Sequence, residues 1–256
     1  MSHHIAELVN LTLDPQAPYV GQSAFAHKAG LHTSAISRAR DAYEHITPDA
    51  IGNLTRFVVS EMAGRSTVAM RAKELGLDAA DDKVGDVLDQ LKTLEHAGYH
   101  FEVADGSFEL LLRTASGWQQ DFFKLESFRV LVEKQADGEI LTEATIKLHT
   151  KGERIIATAE GNGPVNALDQ ALRRAIGQAH PALAGIHLTD YKVRVLDTHK
   201  GTGAVTRVLL DSADEERSWS TIGVSENIIE ASWQALSDSI VHGLLAAEAS
   251  GEESSG

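Results

Sequence analysis

Two histidines in one short segment are the residues of this sequence best suited to acid–base chemistry. His27 and His32 lie within Ser23–His32, which the sequence predicts to be a loop leading into a helix. Five steps along an α-helix turn the chain by roughly 140°, so the two imidazoles could not form a metal pair on one helix face. In a loop both rings could face one cavity, where a neutral imidazole near a helix N-terminus could act as a general base. The alternative is a packed loop whose histidines are simply hydrogen-bonded.

A tight turn in the second half could bind an anion. Gly161 and Gly163 would let the backbone approach a ligand closely, and Pro164 suits the first turn of the helix predicted to follow. Backbone N–H groups at the start of a helix attract a carboxylate. From these residues alone, a plain turn that caps a helix and binds nothing is the favoured interpretation.

The second half repeats one pattern of three strands, a turn and a helix. The strands of the first copy are predicted near 127–133, 143–150 and 154–160, and its helix at 165–179. The strands of the second copy are predicted near 189–196, 204–212 and 218–224, and its helix at 228–247. The helices match at Ala167, Ala171-Leu172 and Ile176 in the first copy and at Ala231, Ala235-Leu236 and Ile240 in the second. The pattern predicts an α+β fold with a duplicated βββα sandwich, suited to pairing and to capture of a small ligand.

The first half is predicted to be helical. Apolar residues at Val84, Val87, Leu88, Leu91 and Leu94 have helical spacing, and Gly98 follows as a C-cap. We expect a helical linker or docking region at 1–117, a regulatory domain at 118–249 with copies at about 126–180 and 185–247, and a disordered tail at 250–256. A short helix predicted at 3–10 begins abruptly, which favours a truncated piece of a longer protein.

Composition excludes several kinds of function. The chain has 256 residues, a net charge of −14 and no cysteine. The negative charge argues against binding to nucleic acid or to an anionic membrane. Without cysteine there are no disulfides, thiolate metal sites or cysteine nucleophiles. No apolar run approaches the roughly 20 residues of a membrane-spanning helix, and we expect a cytoplasmic protein.

Several motifs, in the same order along the chain, resemble the acyl-CoA condensing family of α-isopropylmalate, citramalate and homocitrate synthases. The motifs are Gly21–His32, Tyr43–Pro48, Ser60–Ser66, Leu94–Tyr99, Gly161–Val165 and Ile222–Ser232. The stretches Ser225–Ser232 and Tyr191–Leu196 are most similar to the citramalate synthase branch.

The resemblance implies an architecture of which this chain has one part. Such enzymes have a catalytic TIM barrel, a helical linker in two parts and a βββα–βββα regulatory domain. The barrel is absent here, and with it the divalent metal, the keto acid site and the acetyl-CoA site. The resemblance therefore implies no metal ligand and no cofactor in this chain, with a divalent metal expected in the absent barrel.

The resemblance also implies roles for individual residues. The linker histidine and tyrosine that reach the active site of the neighbouring subunit correspond to His32 and Tyr43. The implied reaction is a Claisen condensation of acetyl-CoA with a 2-keto acid, followed by thioester hydrolysis. Because these groups need the barrel to complete the site, we expect the chain alone to be inactive. His27 is interpreted as structural, and a homodimer is expected.

For the second half, the resemblance implies feedback regulation by isoleucine or leucine. The residues expected to bind the amino acid are Gly161, Gly163, Val165, Asn166 and Asp197. Two alternatives stay open, a stand-alone amino-acid sensor that regulates a partner and a dimerisation module that binds nothing.

Overall fold

A computed structural model describes residues 14, 16–21, 23–27, 35–36, 39, 43–53, 55–57, 68, 72–73, 81–196, 198–215 and 217–253. The helix predicted at 3–10 lies outside them. The chain divides into two compact units, Met1–Glu95 and His96–Gly256.

In the first unit, two short strands and one long helix are described. Strand β1 (Ala26–His27) pairs in parallel with β2 (Arg56–Phe57), and a 3-10 helix covers Pro48–Ile51. Helix α1 (Asp81–Ala97) begins in this unit and ends just after the division between the units. The apolar spacing predicted α1 correctly, and Gly98 follows it at a φ of +112°.

The second unit has an α+β fold with two three-stranded antiparallel sheets. A 3-10 helix at Phe101–Val103 precedes helix α2 (Asp105–Ala115). The first sheet has the order β3 (Lys124–Lys134), β4 (Ile140–Thr150) and β5 (Glu153–Gly161), and helix α3 (Pro164–Ile176) follows. The second sheet has the order β6 (His187–Val195), β7 (Thr206–Ala213) and β8 (Ser218–Ser225), and helix α4 (Ile228–Glu253) follows. Two further 3-10 helices, Pro181–Gly185 and Thr198–Gly203, flank β6.

One hydrophobic core joins both sheets to their helices. Helix α3 packs on β4 and β5, and α4 packs on β7 and β8. The buried face of α3 carries Leu168, Leu172 and Ile176 at a spacing of four residues, which places them on one face of the helix. In β7, buried and half-buried residues alternate, as they do in a strand with one face on a core.

Helix α4 is longer than the sequence pattern predicted. Its predicted end was near Ala247, but its backbone is helical to Glu253, within the segment predicted as a disordered tail. Residues 244–249 read Leu-Leu-Ala-Ala-Glu-Ala, and all of these residue types favour helix.

Candidate functional site

The start of helix α3 opens into a cavity of about 690 Å³, within the usual size range of small-molecule sites. Three parts of the second unit line it: residues 162–166 at the start of α3, Asp169 and Arg173 further along that helix, and the opposite wall from Ala184 to Tyr191. The five residues predicted from sequence to bind the amino acid have different positions relative to this cavity. Gly163, Val165 and Asn166 line the cavity, Gly161 adjoins it, and Asp197 lies outside the described residues.

The two glycines of the turn have different surroundings. A Cβ added to Gly161 would lie 2.5 Å from the backbone nitrogen of Ala167, so a side chain there would collide with the first turn of α3. A Cβ added to Gly163 would meet nothing within 4 Å, and Gly163 has an extended backbone (φ 179°) that any residue can adopt. Gly161 therefore allows the close packing of the turn, whereas Gly163 faces open space at the cavity.

The first turn of α3 presents backbone donors to the cavity. Gly163 is the N-cap and supplies no side-chain hydrogen bond, and Pro164 has no N–H. The N–H groups of Val165 and Asn166 have no partner within the helix, as helix geometry requires for a first turn. The Oδ1 atom of Asn166 accepts a hydrogen bond from the N–H of Asn162 (3.3 Å), so this side chain helps to fix the turn.

Arg173 connects helix α3 to the wall of the cavity that precedes β6. Its Nε lies 2.9 Å from Oδ1 of Asp169, and its NH1 donates to the carbonyls of Leu183 (3.1 Å) and Ile186 (2.8 Å). The two bonds from NH1 hold the chain before β6 to helix α3. The pair of Asp169 and Arg173 was not predicted from the sequence, although a spacing of four residues between opposite charges on a helix is a usable signal.

Tyr191 on β6 links the opposite wall to α4. Its hydroxyl lies 2.8 Å from Oγ of Ser232, and Ser232 donates its own proton to the carbonyl of Ile228 (2.6 Å). Tyr191 is therefore the donor to Ser232, and its oxygen can still accept a hydrogen bond. Tyr191 begins a stretch that resembles citramalate synthases, but its place in the cavity was not predicted, because that depends on tertiary packing.

The start of α4 differs from the start of α3. The Oδ1 atom of Asn227 accepts hydrogen bonds from the N–H groups of Ile229 (2.9 Å) and Glu230 (3.4 Å). This is a standard side-chain N-cap, and it occupies the donors that α3 leaves uncapped.

In the first unit, the structure describes one of the two predicted catalytic residues. Tyr43 is 45% exposed, while His32 lies outside the described residues. Nε2 of His27 lies 3.3 Å from Oε1 of Glu44, which also accepts a hydrogen bond from Thr55 (2.6 Å). These contacts agree with a structural role for His27, and the buried Glu44 at their centre was not anticipated from sequence.

Two features are absent from the described part of the chain. Within the described ranges, no group of three or more His, Cys, Asp or Glu side chains is placed to hold a metal ion. None of the helices described is both long enough and apolar enough to cross a membrane.

Comparison with known families gives the class of protein. Residues 102–244 match the LeuA allosteric (dimerisation) domain, and residues 19–98 match the homocitrate synthase post-HMGL domain-like family. Because the first match covers more than half of the chain, this chain belongs to the LeuA allosteric (dimerisation) domain family.

Several curated relatives are similar over nearly the whole chain. The (R)-citramalate synthase of Streptomyces coelicolor is 54% identical over 250 residues, covering 96% of this chain and 47% of the relative. The (R)-citramalate synthase of Aquifex aeolicus is 44% identical over 254 residues, covering 98% of this chain and 48% of the relative. The one from Synechocystis is 49% identical over 249 residues, covering 95% and 46%. The chain spans about half the length of these relatives. The predicted resemblance to the condensing-enzyme family is confirmed, and the LeuA match at 102–244 corresponds to the regulatory part of such an enzyme.

Proposed function

We propose that this chain is the linker and allosteric part of an acetyl-CoA-dependent condensing enzyme of the citramalate or 2-isopropylmalate synthase type. In this proposal, the cavity at the start of α3 binds a branched-chain amino acid, isoleucine or leucine, as a feedback effector of branched-chain amino acid biosynthesis. The observation that carries the proposal is an uncapped helix start that opens into a cavity with a partly apolar wall.

The chemistry of the cavity fits a zwitterion with an aliphatic side chain. The effector's carboxylate would accept hydrogen bonds from the N–H groups of Val165 and Asn166, favoured by the positive end of the helix dipole. Its side chain would contact Val165, Ile186 and Leu188, which line the same cavity. Its ammonium group would donate to the hydroxyl oxygen of Tyr191, and Asp197 is proposed as a further acceptor.

Calorimetric titration of the chain with L-isoleucine, L-leucine and L-valine tests this proposal. We expect saturable binding of one of them, with one molecule bound per chain. The D enantiomer of the binding amino acid is the control, since it cannot place carboxylate, ammonium and side chain in the same three positions. If all three L amino acids fail to bind, the effector site is refuted.

We infer a homodimer from the family of this domain and from its exposed apolar side chains. On β6, Tyr191, Val193 and Val195 are 38%, 43% and 46% exposed. Val193 pairs in register with Val208, which is fully buried, so both lie on the face of the second sheet that also carries the core. Exposed apolar groups continuous with a core are typical of subunit contacts.

Light scattering at micromolar concentration tests the dimer. We expect a dimer for the unchanged chain and a shift to monomer for Val193→Glu. Arg194→Glu is the matched control, because adjacent side chains in a strand point to opposite faces. A monomer at every concentration for the unchanged chain would contradict the inference.

The proposed part in catalysis rests on His32 and Tyr43. His32 would help to remove the methyl proton of acetyl-CoA, and Tyr43 would orient His32 or the substrate in a site completed by a barrel. The exposed position of Tyr43 leaves it accessible for that role. A free-CoA assay should show no turnover by this chain alone, and turnover that disappears in His32→Ala would contradict the proposal.

We also propose that the regulatory domain comprises residues 118–249 and arose by duplication of a βββα unit, with 1–117 as linker. Supporting the duplication, all eight residues matched between the two helices are fully buried: Ala167, Ala171, Leu172, Ile176, Ala231, Ala235, Leu236 and Ile240.

A further inference from the structure

Two arginines of the second sheet lie directly opposite each other on adjacent strands. Arg194 on β6 pairs in register with Arg207 on β7, so the two side chains leave the same face of the sheet. Residues directly opposite each other in an antiparallel pair have Cβ atoms about 5 Å apart, and like charges in this arrangement are destabilising. The pairing of the two arginines therefore costs free energy unless an anion accompanies them.

The same face of the sheet shows how such a pair is neutralised within the chain. Four residues before Arg194, Asp190 pairs in register with Asp211 on β7, which places two carboxylates opposite each other. The ammonium group of Lys192 lies 2.6 Å from Oδ2 of Asp190 and 3.1 Å from Oδ2 of Asp211. One cation of the chain thus bridges the two carboxylates.

The two arginines have no corresponding anion in the described part of the chain. Among the residues that the structure describes, neither the Arg194 nor the Arg207 guanidinium forms an ion pair. The chain has 37 acidic residues against 23 Lys and Arg residues, so a shortage of carboxylates does not explain this. Asp197, three residues after Arg194, lies outside the described residues and is the competing source of a counter-ion.

Arg207 is held in place and is partly withdrawn from water. Its Nε donates to the carbonyl oxygen of Gly98 (2.7 Å), just after the end of helix α1. Its partner on β8 is the apolar Val224, and the side chain is half-buried. Burial, and then the charge of Arg194, lower the pKa of the Arg207 guanidinium, which nevertheless stays charged at neutral pH. An external anion would therefore replace solvation that the fold has partly removed.

We propose that Arg194 and Arg207 together form a binding site for a phosphate ion on the non-core face of the second sheet. Phosphate carries up to two negative charges near neutral pH, which matches the two guanidinium charges. Planar guanidinium groups donate parallel hydrogen bonds to phosphate oxygens, and such charge-assisted bonds are strong. Neither arginine lines the cavity at the start of α3, so this site is separate from the proposed effector site.

Phosphate titration of the full chain, followed by NMR of the arginine Nε–H groups, tests the site. Sodium phosphate replaces sodium chloride at constant ionic strength, because salt alone screens the repulsion between the two arginines. We expect saturable shifts of both Nε–H signals at millimolar phosphate, and a weaker response to acetate, which carries a single charge. The absence of a saturable shift, or an equal response to acetate, would overturn the proposal. Shifts confined to the backbone N–H groups of Val165 and Asn166 would place the anion at the start of α3 instead and would also overturn it.

Arg194→Met distinguishes a paired site from two separate surface charges. It removes one guanidinium, so phosphate affinity should fall by about tenfold or more. In phosphate-free buffer of low ionic strength the melting temperature should rise, because the like-charge contact is relieved. Loss of stability in that buffer would show that the two charges are already compensated and would refute the site.

Arg129→Met is the matched control for Arg194→Met. Arg129 is an exposed arginine on β3, and its partner on β4 is the uncharged Thr145. Its removal should leave the phosphate response unchanged. Equal losses of phosphate affinity in the two variants would contradict a site built from the pair.

Asp197→Asn tests the competing counter-ion. If the pair binds external phosphate, this variant should bind it with an affinity within about twofold of the unchanged chain. Saturable binding that appears only in Asp197→Asn would assign the counter-ion to Asp197 and would overturn the proposal.

Discussion

Gly223 on β8 and Ala231 on α4 are so close that a Cβ added to Gly223 would overlap the carbonyl oxygen of Ala231. A Cβ added to Gly223 would also lie 2.9 Å from the backbone nitrogen of Ala235. The absence of a side chain therefore sets how closely α4 approaches the second sheet. Thr221 uses the same close approach, because its hydroxyl donates to the carbonyl of Ala235 (2.7 Å).

Gly223→Ala should destabilise the protein by about 1–3 kcal/mol or more, because α4 must move away from a packed sheet. Urea unfolding followed by circular dichroism measures the loss. Gly203→Ala is the matched control, since a Cβ there meets nothing within 4 Å. Equal stability of the two variants would show that the contact between Gly223 and Ala231 relaxes without cost.

Gly161→Val and Gly163→Val should separate folding from ligand binding. Gly161→Val should lower the melting temperature without ligand by roughly 3–10 °C, because its side chain collides with the first turn of α3. Gly163→Val should leave that temperature nearly unchanged but abolish the stabilisation by the binding amino acid, since its side chain would enter the cavity. An unchanged ligand-induced shift in Gly163→Val would place the effector elsewhere.

Arg173→Met should destabilise the second unit by about 3 kcal/mol, because it leaves Asp169 without its ion pair and two carbonyls without their donor. It should also weaken effector binding, since the wall before β6 loses its attachment to α3. Arg174→Met removes the same charge from the next residue, which makes one hydrogen bond to Thr158, and should cost about 1 kcal/mol. Chemical unfolding and calorimetry measure the two effects, and equal losses in both variants would contradict this account.

Glu109→Gln should destabilise the protein at neutral pH, and the difference from the unchanged chain should shrink in acid. Desolvation opposes ionisation of Glu109, but His242 and Arg113 outweigh it and lower its pKa to about 2, so its ionised form stabilises the fold above its ordinary pKa of 4.5. That stabilisation, about 1–3 kcal/mol, is lost as the pH falls from 4.5 through 2. The pH dependence from Asp238 has the opposite sign. Desolvation raises its pKa to about 6, so the stabilisation of the fold by its protonated form is lost as the pH rises through about 6.

The control for Glu109 is an exposed pair of the same chemistry. Glu126 lies 2.6 Å from Arg154 on the surface, where solvent screens the interaction. Glu126→Gln should therefore change the free energy of unfolding much less than Glu109→Gln. The free energy of unfolding of both variants is measured across this pH range. Equal losses would contradict the expectation that partial burial makes the Glu109 interaction the stronger one.

Patterns within single elements were predictable from the sequence. The apolar spacing of Val84, Val87 and Leu91 predicted α1, and the repeated pattern of three strand-like runs predicted the strands of both sheets. The segment 107–114 lies within helix α2. Its apolar residues suit either a helix or a strand, and α2 forms because one of its faces packs against β8 and α4.

The candidate site was predictable where it is local in sequence. Gly163 and Val165 lie two residues apart in the chain, and both line the cavity. Arg173 and Tyr191 come from different elements, and nothing in their neighbours indicates that they meet at one cavity. The hydrogen bond between Ser107 and Asp238 could not be predicted either, because the two residues are 131 positions apart in the chain.

Side chains at the start of α2 cap the edge of β8, and these caps also govern how this protein meets other chains while it folds. An uncapped edge strand can recruit a strand from another molecule and begin aggregation. Asp105 and Ser107 on α2 block that route, because they accept hydrogen bonds from the N–H groups of Ser220 and Ile222 on the edge strand β8. A fragment that begins after Ala115 would keep every strand of both sheets. In that fragment, however, the N–H groups of Ser220 and Ile222 would be free to pair with a strand of another molecule.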